Sequence, residues 1–105
     1  MAMRPTIPYY ASPECLPAPL PTVAEILASK ERLSNEHQVC VVRVGKHYAV
    51  KFGTRTSIQE GENMLFVQQS TSIPVPKVYA LFRAAVKGHK PDPTFIVRKW
   101  TRKTL

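Results

Sequence analysis

The sequence predicts an α+β domain, a small antiparallel β-sheet with one main packed helix and a short helix ahead of it. Three observations lead there. Two apolar, β-branched runs, residues 39–44 and 47–52, meet at Gly45-Lys46. An amphipathic stretch follows them, and two further β-rich runs, residues 78–82 and 94–97, enclose a loop punctuated by Gly88, Pro91 and Pro93. A length of 105 residues suits one domain, which buries roughly 65% of the unfolded chain's surface on folding.

In chain order, Pro5, Pro8, Pro13, Pro17, Pro19 and Pro21 make residues 1–21 an extended or irregular arm, because proline fixes φ and lacks an amide donor. The expected course of this arm is along its own domain. Thr22 with Glu25 three residues later reads as a capping box, and Val23, Ile26 and Leu27 supply an apolar stripe, so a short helix is expected to about residue 32. Gly45-Lys46 closes a hairpin between the two β-branched runs. Residues 54–57 open the second helix, with Ile58, Met64, Leu65, Phe66 and Val67 as its apolar positions and an end near Gln69. Pro74 and Pro76 force an extended passage into the strand at 78–82. Residues 84–93 are the loop to the last strand.

Composition narrows the function classes. The net charge is +8, and after position 76 Lys77, Arg83, Lys87, Lys90, Arg98, Lys99, Arg102 and Lys103 face only Asp92. Such a basic tail suits an acidic protein partner or nucleic acid through counterion release. No basic helix, zinc finger or aromatic RNA-binding motif accompanies it, which argues against specific nucleic-acid recognition. Cys15 and Cys40 lack metal-ligand spacing and read as free thiols, while the first ten residues contain no apolar run. The expectation is an intracellular, cytoplasmic protein without a membrane segment. His37, His47 and His89 are too scattered for a zinc site or a hydrolytic triad.

The residues able to carry chemistry lie between the hairpin and the second helix. In Tyr48-Ala49-Val50-Lys51, alternation sets His47, Ala49 and Lys51 on one face and Tyr48, Val50 and Phe52 on the other, the core face. Lys51 then projects beside the small Ala49, where a flat ring fits. Glu60 shares a helix face with Met64 and Val67, so its carboxylate is directed at the sheet and wants a cationic partner. A surface Lys51–Glu60 pair contributes only about 0–1 kcal/mol, which leaves the holding of an ammonium for phosphate oxygens as the better reason for it. The plainer alternative makes Glu60 the N3 member of a capping box with Ser57.

Three longer stretches resemble the aminoglycoside phosphotransferase family, especially its fungal-type members. They are Gly61-Glu62-Asn63-Met64-Leu65-Phe66-Val67, Ile73-Pro74-Val75-Pro76-Lys77-Val78-Tyr79-Ala80 and Leu20-Pro21-Thr22-Val23-Ala24-Glu25-Ile26-Leu27. The likeness runs from about residue 8 to residue 97. It implies a protein-kinase-like N-terminal lobe over residues 22–97, with residues 98–105 as a basic tail at the hinge position. It further implies ATP as cofactor, with Lys51 on the phosphates, Glu60 as its helix partner and Ala49 under the adenine. By the same resemblance the backbone around Val97 and Lys99 would bond the adenine edge, and residues 34–37 would cover the phosphates.

In place of the family's apolar or acidic hinge and glycine-containing linker stands Arg98-Lys99-Trp100-Thr101-Arg102-Lys103. Phosphoryl transfer in this family also needs a base aspartate, a downstream asparagine and a magnesium-binding aspartate. Asp92 is the only aspartate, and Asn35 and Asn63 precede it. These residues supply no catalytic base and no ligand set for the Mg²⁺ that the family uses. The expectation is a lobe cut before its catalytic half, without turnover as it stands, whose open face invites self-association. The alternative is a non-enzymatic basic interaction module.

Overall fold

Six antiparallel strands form one sheet in the computed structural model, which describes residues 7–36 and 39–101. The strands are β1 (Tyr9–Tyr10), β2 (Glu31–Glu36), β3 (Val39–Val44), β4 (Tyr48–Gly53), β5 (Val78–Arg83) and β6 (Thr94–Lys99), in the spatial order β1-β5-β6-β4-β3-β2. Two helices, α1 (Val23–Ala28) and α2 (Ile58–Ser70), complete the α+β architecture. No helix of the described residues is long and apolar enough to cross a membrane.

The expected hairpin forms with Val42 opposite Val50 and Val41 opposite Lys51. Gly45 takes φ 63°, a left-handed conformation that a glycine adopts without steric cost. His47 joins the turn, so the return strand starts at Tyr48. The last strand continues to Lys99, two residues past its expected end, because the amide of Lys99 donates to Lys77 O at 2.8 Å.

The capping box at Thr22 is complete: Glu25 N–H donates to Thr22 Oγ1, and Thr22 N–H donates to Glu25 Oε1. The helix nevertheless ends at Ala28, and residues 31 and 32, expected at its C-terminus, belong to β2. The run Glu31-Arg32-Leu33-Ser34-Asn35-Glu36 has no strand-like alternation. What makes it a strand is the unpaired edge of β3, and Ser29 Oγ donates to Arg43 O at the point where the chain turns onto that edge.

Residue alternation gives the sheet two apolar faces. On one, Cys40, Val42, Tyr48, Val50, Phe95 and Val97 pack beneath Ile26 of α1, and Leu16, Ala18 and Leu20 of the arm lie against them. The arm is thus tied to the domain, and Tyr9–Tyr10 pairs with β5. Tyr10, Phe82, Phe95 and Phe52, on adjacent strands β1, β5, β6 and β4, stack with successive ring centroids 5.8, 5.1 and 5.2 Å apart. On the opposite face Leu65 of α2 packs with Val78, Leu81 and Ile96.

Two contacts fix the seat of α2. Gly61 allows the helix to touch the sheet, since a Cβ there would lie 2.4 Å from Leu81 Cδ1. At the far end the Gln68 side-chain amide accepts from Val78 N–H at 2.7 Å and donates to Val78 O at 3.3 Å. The buried positions are accordingly Gly61 and Leu65, while Phe66, expected on the apolar stripe, is 38% exposed.

Tyr48 shows how the arm contributes to stability. Its hydroxyl donates to Ala18 O, and desolvation pushes its pKa above the ordinary value of 10.0. A raised native pKa means that the unfolded state loses this proton first as pH rises. The contribution is therefore fully present below about pH 10 and is lost as pH climbs through the native value. Thermal melts from pH 8 to pH 11 should show the native protein losing stability more steeply above pH 10 than Tyr48→Phe. Parallel curves would remove Tyr48 as the cause.

Candidate functional site

Lys51 and Glu60 meet as the alternation anticipates. Lys51 leaves β4 on the face that carries α2, between Val41 of β3 and Ile96 of β6. Glu60 stands in the first turn of α2, where the helix dipole favours a carboxylate. The Lys51 ammonium donates to both Glu60 oxygens at 2.8 Å. Ser57 Oγ accepts from Gln59 N–H, so the helix start is capped without Glu60 and the capping-box alternative does not describe it. The side chains are 25% and 41% exposed, a reach that leaves the ammonium open to an anion from outside.

Ala49 lies one row away on the same face, flanked directly by Arg43 of β3 and Arg98 of β6. Burial pushes the Arg98 guanidinium below its ordinary pKa, and the nearby Glu60 carboxylate opposes that shift. Lys51 and Arg98 thus share the field of one carboxylate, which leaves the cluster net positive. Such an arrangement suits the charge of a phosphate group, with Glu60 holding the lysine in position. Arg98, counted with the basic tail from sequence, is turned onto the sheet instead.

Ala49 itself has no accessible surface, so its floor is not open as the sequence suggested. The guanidinium carbon of the neighbouring Arg43 lies 4.6 Å from the centre of the Trp100 ring, and its Nε is enclosed without an acceptor.

Val97 and Lys99 are not brought to this cluster. Their side chains belong to the other face, since Val97 pairs with Val50 and Lys99 with Tyr48. The Lys99 amide donates to Lys77 O and the Trp100 amide to His47 O at 2.9 Å, so these two donors at the hinge position serve the sheet rather than a base edge. Of the stretch expected over the phosphates, Ser34–Glu36 lies in β2, and His37 falls outside the described residues, as do Arg102 and Lys103.

Arg43, Arg98 and Trp100 were not singled out from sequence as site residues. Arg98 follows Ile96 by two positions, which fixes a shared face once the strand is known to reach Lys99. Arg43 and Trp100 have no such local signal, because their neighbours follow from strand register.

Among the described residues, cavities also lie elsewhere. One of about 370 Å³, lined in part by Leu27, Arg32, Cys40, Phe52 and Lys90, is on the α1 side of the sheet. Another, of about 480 Å³, is bounded by Thr56, Ser57, Arg83 and Asp92 near the start of α2. Cys40 is buried, its Sγ 3.0 Å from an Arg32 guanidinium nitrogen, and Cys15 is exposed and free. His47 and His89 are exposed. Among the described residues no three His, Cys, Asp or Glu side chains gather as a metal site.

No known family, curated protein or solved structure gives a significant match to this chain.

Proposed function

We propose that this chain is the nucleotide-binding small lobe of an aminoglycoside-phosphotransferase-like, protein-kinase-like fold, with Lys51 as the group that receives ATP phosphates. The observation that carries the reading is the two-pronged Lys51–Glu60 pair, bridging strand and helix at 2.8 Å to each carboxylate oxygen. A strand lysine held by a glutamate on the following helix is the arrangement that positions nucleotide phosphates in kinase-type clefts. The strand context agrees, since β4 is the third of the successive strands β2, β3 and β4, and the Val-Ala-x-Lys type of motif belongs on a third strand. The net positive cluster formed by Lys51 and Arg98 supports the same reading.

Within this reading the small lobe binds and orients the triphosphate but does not turn it over. Transfer requires a base and magnesium ligands, and a single aspartate, Asp92, does not supply them. Asp92 lies beside the cavity at the start of α2, in the loop before β6.

Thermal shift with Mg-ATP tests the proposal. At ATP tenfold above Kd the native protein should gain about 1.4 kcal/mol, or several degrees in Tm. Lys51→Ala should abolish that gain while lowering the ligand-free stability by about 1 kcal/mol or less, because the pair is solvent-exposed. A shift of equal size in Lys51→Ala, or no shift in the native protein at millimolar ATP, would overturn the assignment.

A further inference from the structure

Arg43 and Trp100 belong to strands on either side of β4, with Trp100 directly following β6. In a sheet, strands two apart are separated by about 9–10 Å. Side chains from those two positions reach a separation of 4.6 Å only by meeting above β4. On that face lie His47, in the turn, and Ala49 of β4. Arg43 flanks Ala49 directly and Trp100 is bonded at His47, so the indole–guanidinium stack crosses β4 beside Ala49, which has no accessible surface, and the exposed His47. The Trp100 amide, bonded to His47 O, anchors the residue at that row, and the enclosed Nε of Arg43 marks how closely the stack sits.

We propose that the Trp100 indole, stacked on Arg43, occupies the place that a purine base would take on Ala49, so that these two residues set the affinity for base-containing ligands. The inference rests on the nucleotide reading of the Lys51 site. A flat aromatic ring against a small floor residue is the contact a purine would make, and here the chain supplies the ring itself. The phosphate end is left open, because the Lys51 side chain stays partly exposed beside Glu60. A nucleotide must therefore displace the indole to seat its base, whereas a bare polyphosphate need not.

Trp100 is the only tryptophan, so its emission reports directly on the stack. Mg-ATP, adenosine and inorganic tripolyphosphate would be titrated into the native protein, Trp100→Ala and Lys51→Ala, following Trp100 emission where it is present and Kd by calorimetry. ATP and adenosine should shift the emission of Trp100 to the red and raise its quenching by acrylamide, while tripolyphosphate should do neither. Loss of a partly desolvated cation–π stack corresponds to about 2- to 30-fold, and Trp100→Ala should tighten ATP by that factor. Its affinity for tripolyphosphate should stay within about twofold of the native value, since the energy of this contact concerns the base alone. Arg43→Met, which keeps an apolar stem under the indole, should tighten ATP in the same direction and serves if Trp100→Ala folds poorly.

If ATP binds in a Lys51-dependent manner but the Trp100 and Arg43 variants bind it no tighter, the indole is not in the base position and the nucleotide reading stands. Equal tightening of tripolyphosphate overturns the proposal in the same way. If none of the three ligands binds any of the proteins, both readings fall.

Discussion

Phe95→Ala should lower stability by about 3–5 kcal/mol and Tm by roughly 15–30 °C. Phe95 is fully buried and sits between Phe52 and Phe82, with ring centroids 5.2 and 5.1 Å away and interplanar angles of 9°. Truncation removes the shared member of both stacks and leaves a void where four adjacent strands are cross-linked by rings. The strands hold the backbone in place around that void, so the cavity cannot collapse fully and the cost lies above the transfer energy alone. Domains of this size have about 5–15 kcal/mol in total, so the loss is a large fraction of the whole. Phe66→Ala makes the same chemical change at a position 38% exposed on α2, and should cost no more than about 0.5 kcal/mol. A Phe95→Ala protein melting within about 5 °C of the native one would mean that the stack is not the centre of the core.

Gly61→Val should cost about 2–3 kcal/mol and detach Glu60 from Lys51 together with α2. A Cβ at position 61 would stand 2.4, 2.9 and 3.1 Å from Cδ1, Cδ2 and Cγ of Leu81. Leu81 is itself fully buried against Leu65, Val78 and Ile96, so it has no free direction in which to retreat. The helix must instead lift from the sheet. Valine is a slightly better helix former than glycine, which offsets only a few tenths of a kcal/mol. The expected readout is a Tm lower by roughly 10–20 °C and an ATP-dependent shift reduced in the surviving folded protein, although Lys51 is untouched. The compensating change Leu81→Ala should cost less in the Gly61→Val background than in the native one. Additive costs would show that the two residues do not meet, and the close seat of α2 would have to be abandoned.

These two residues differ in how readily they are read from sequence. Phe95 belongs to an evident β-rich run and would be placed in a core by any alternation argument. Gly61 reads as a defect in a helix until Leu81 is found against it. The same division holds at the site. Lys51, Ala49 and Glu60 obey local periods, two residues in a strand and about four in a helix, so their faces followed from sequence. That the ammonium and carboxylate touch at 2.8 Å required the seat of α2, which depends on Gly61 and on the Gln68 clamp.

Other features were hidden for a related reason. Glu31–Glu36 has no strand pattern because its pairing satisfies the edge of β3 rather than its own propensity. The extension of β6 to Lys99 committed the Lys99 amide to the sheet, and a basic run after an apolar strand gives no sign of that in sequence.

Local chemistry alone determined the α+β class, the capping box at Thr22, the hairpin at Gly45 and the face assignments of Lys51, Ala49 and Glu60, because each rests on residues within a few positions of one another. Tertiary structure decided the pairing of β2, the approach of α2 and the meeting of Arg43 and Trp100 across β4. Those features join residues far apart in the chain through strand order and register, and no local period carries that information.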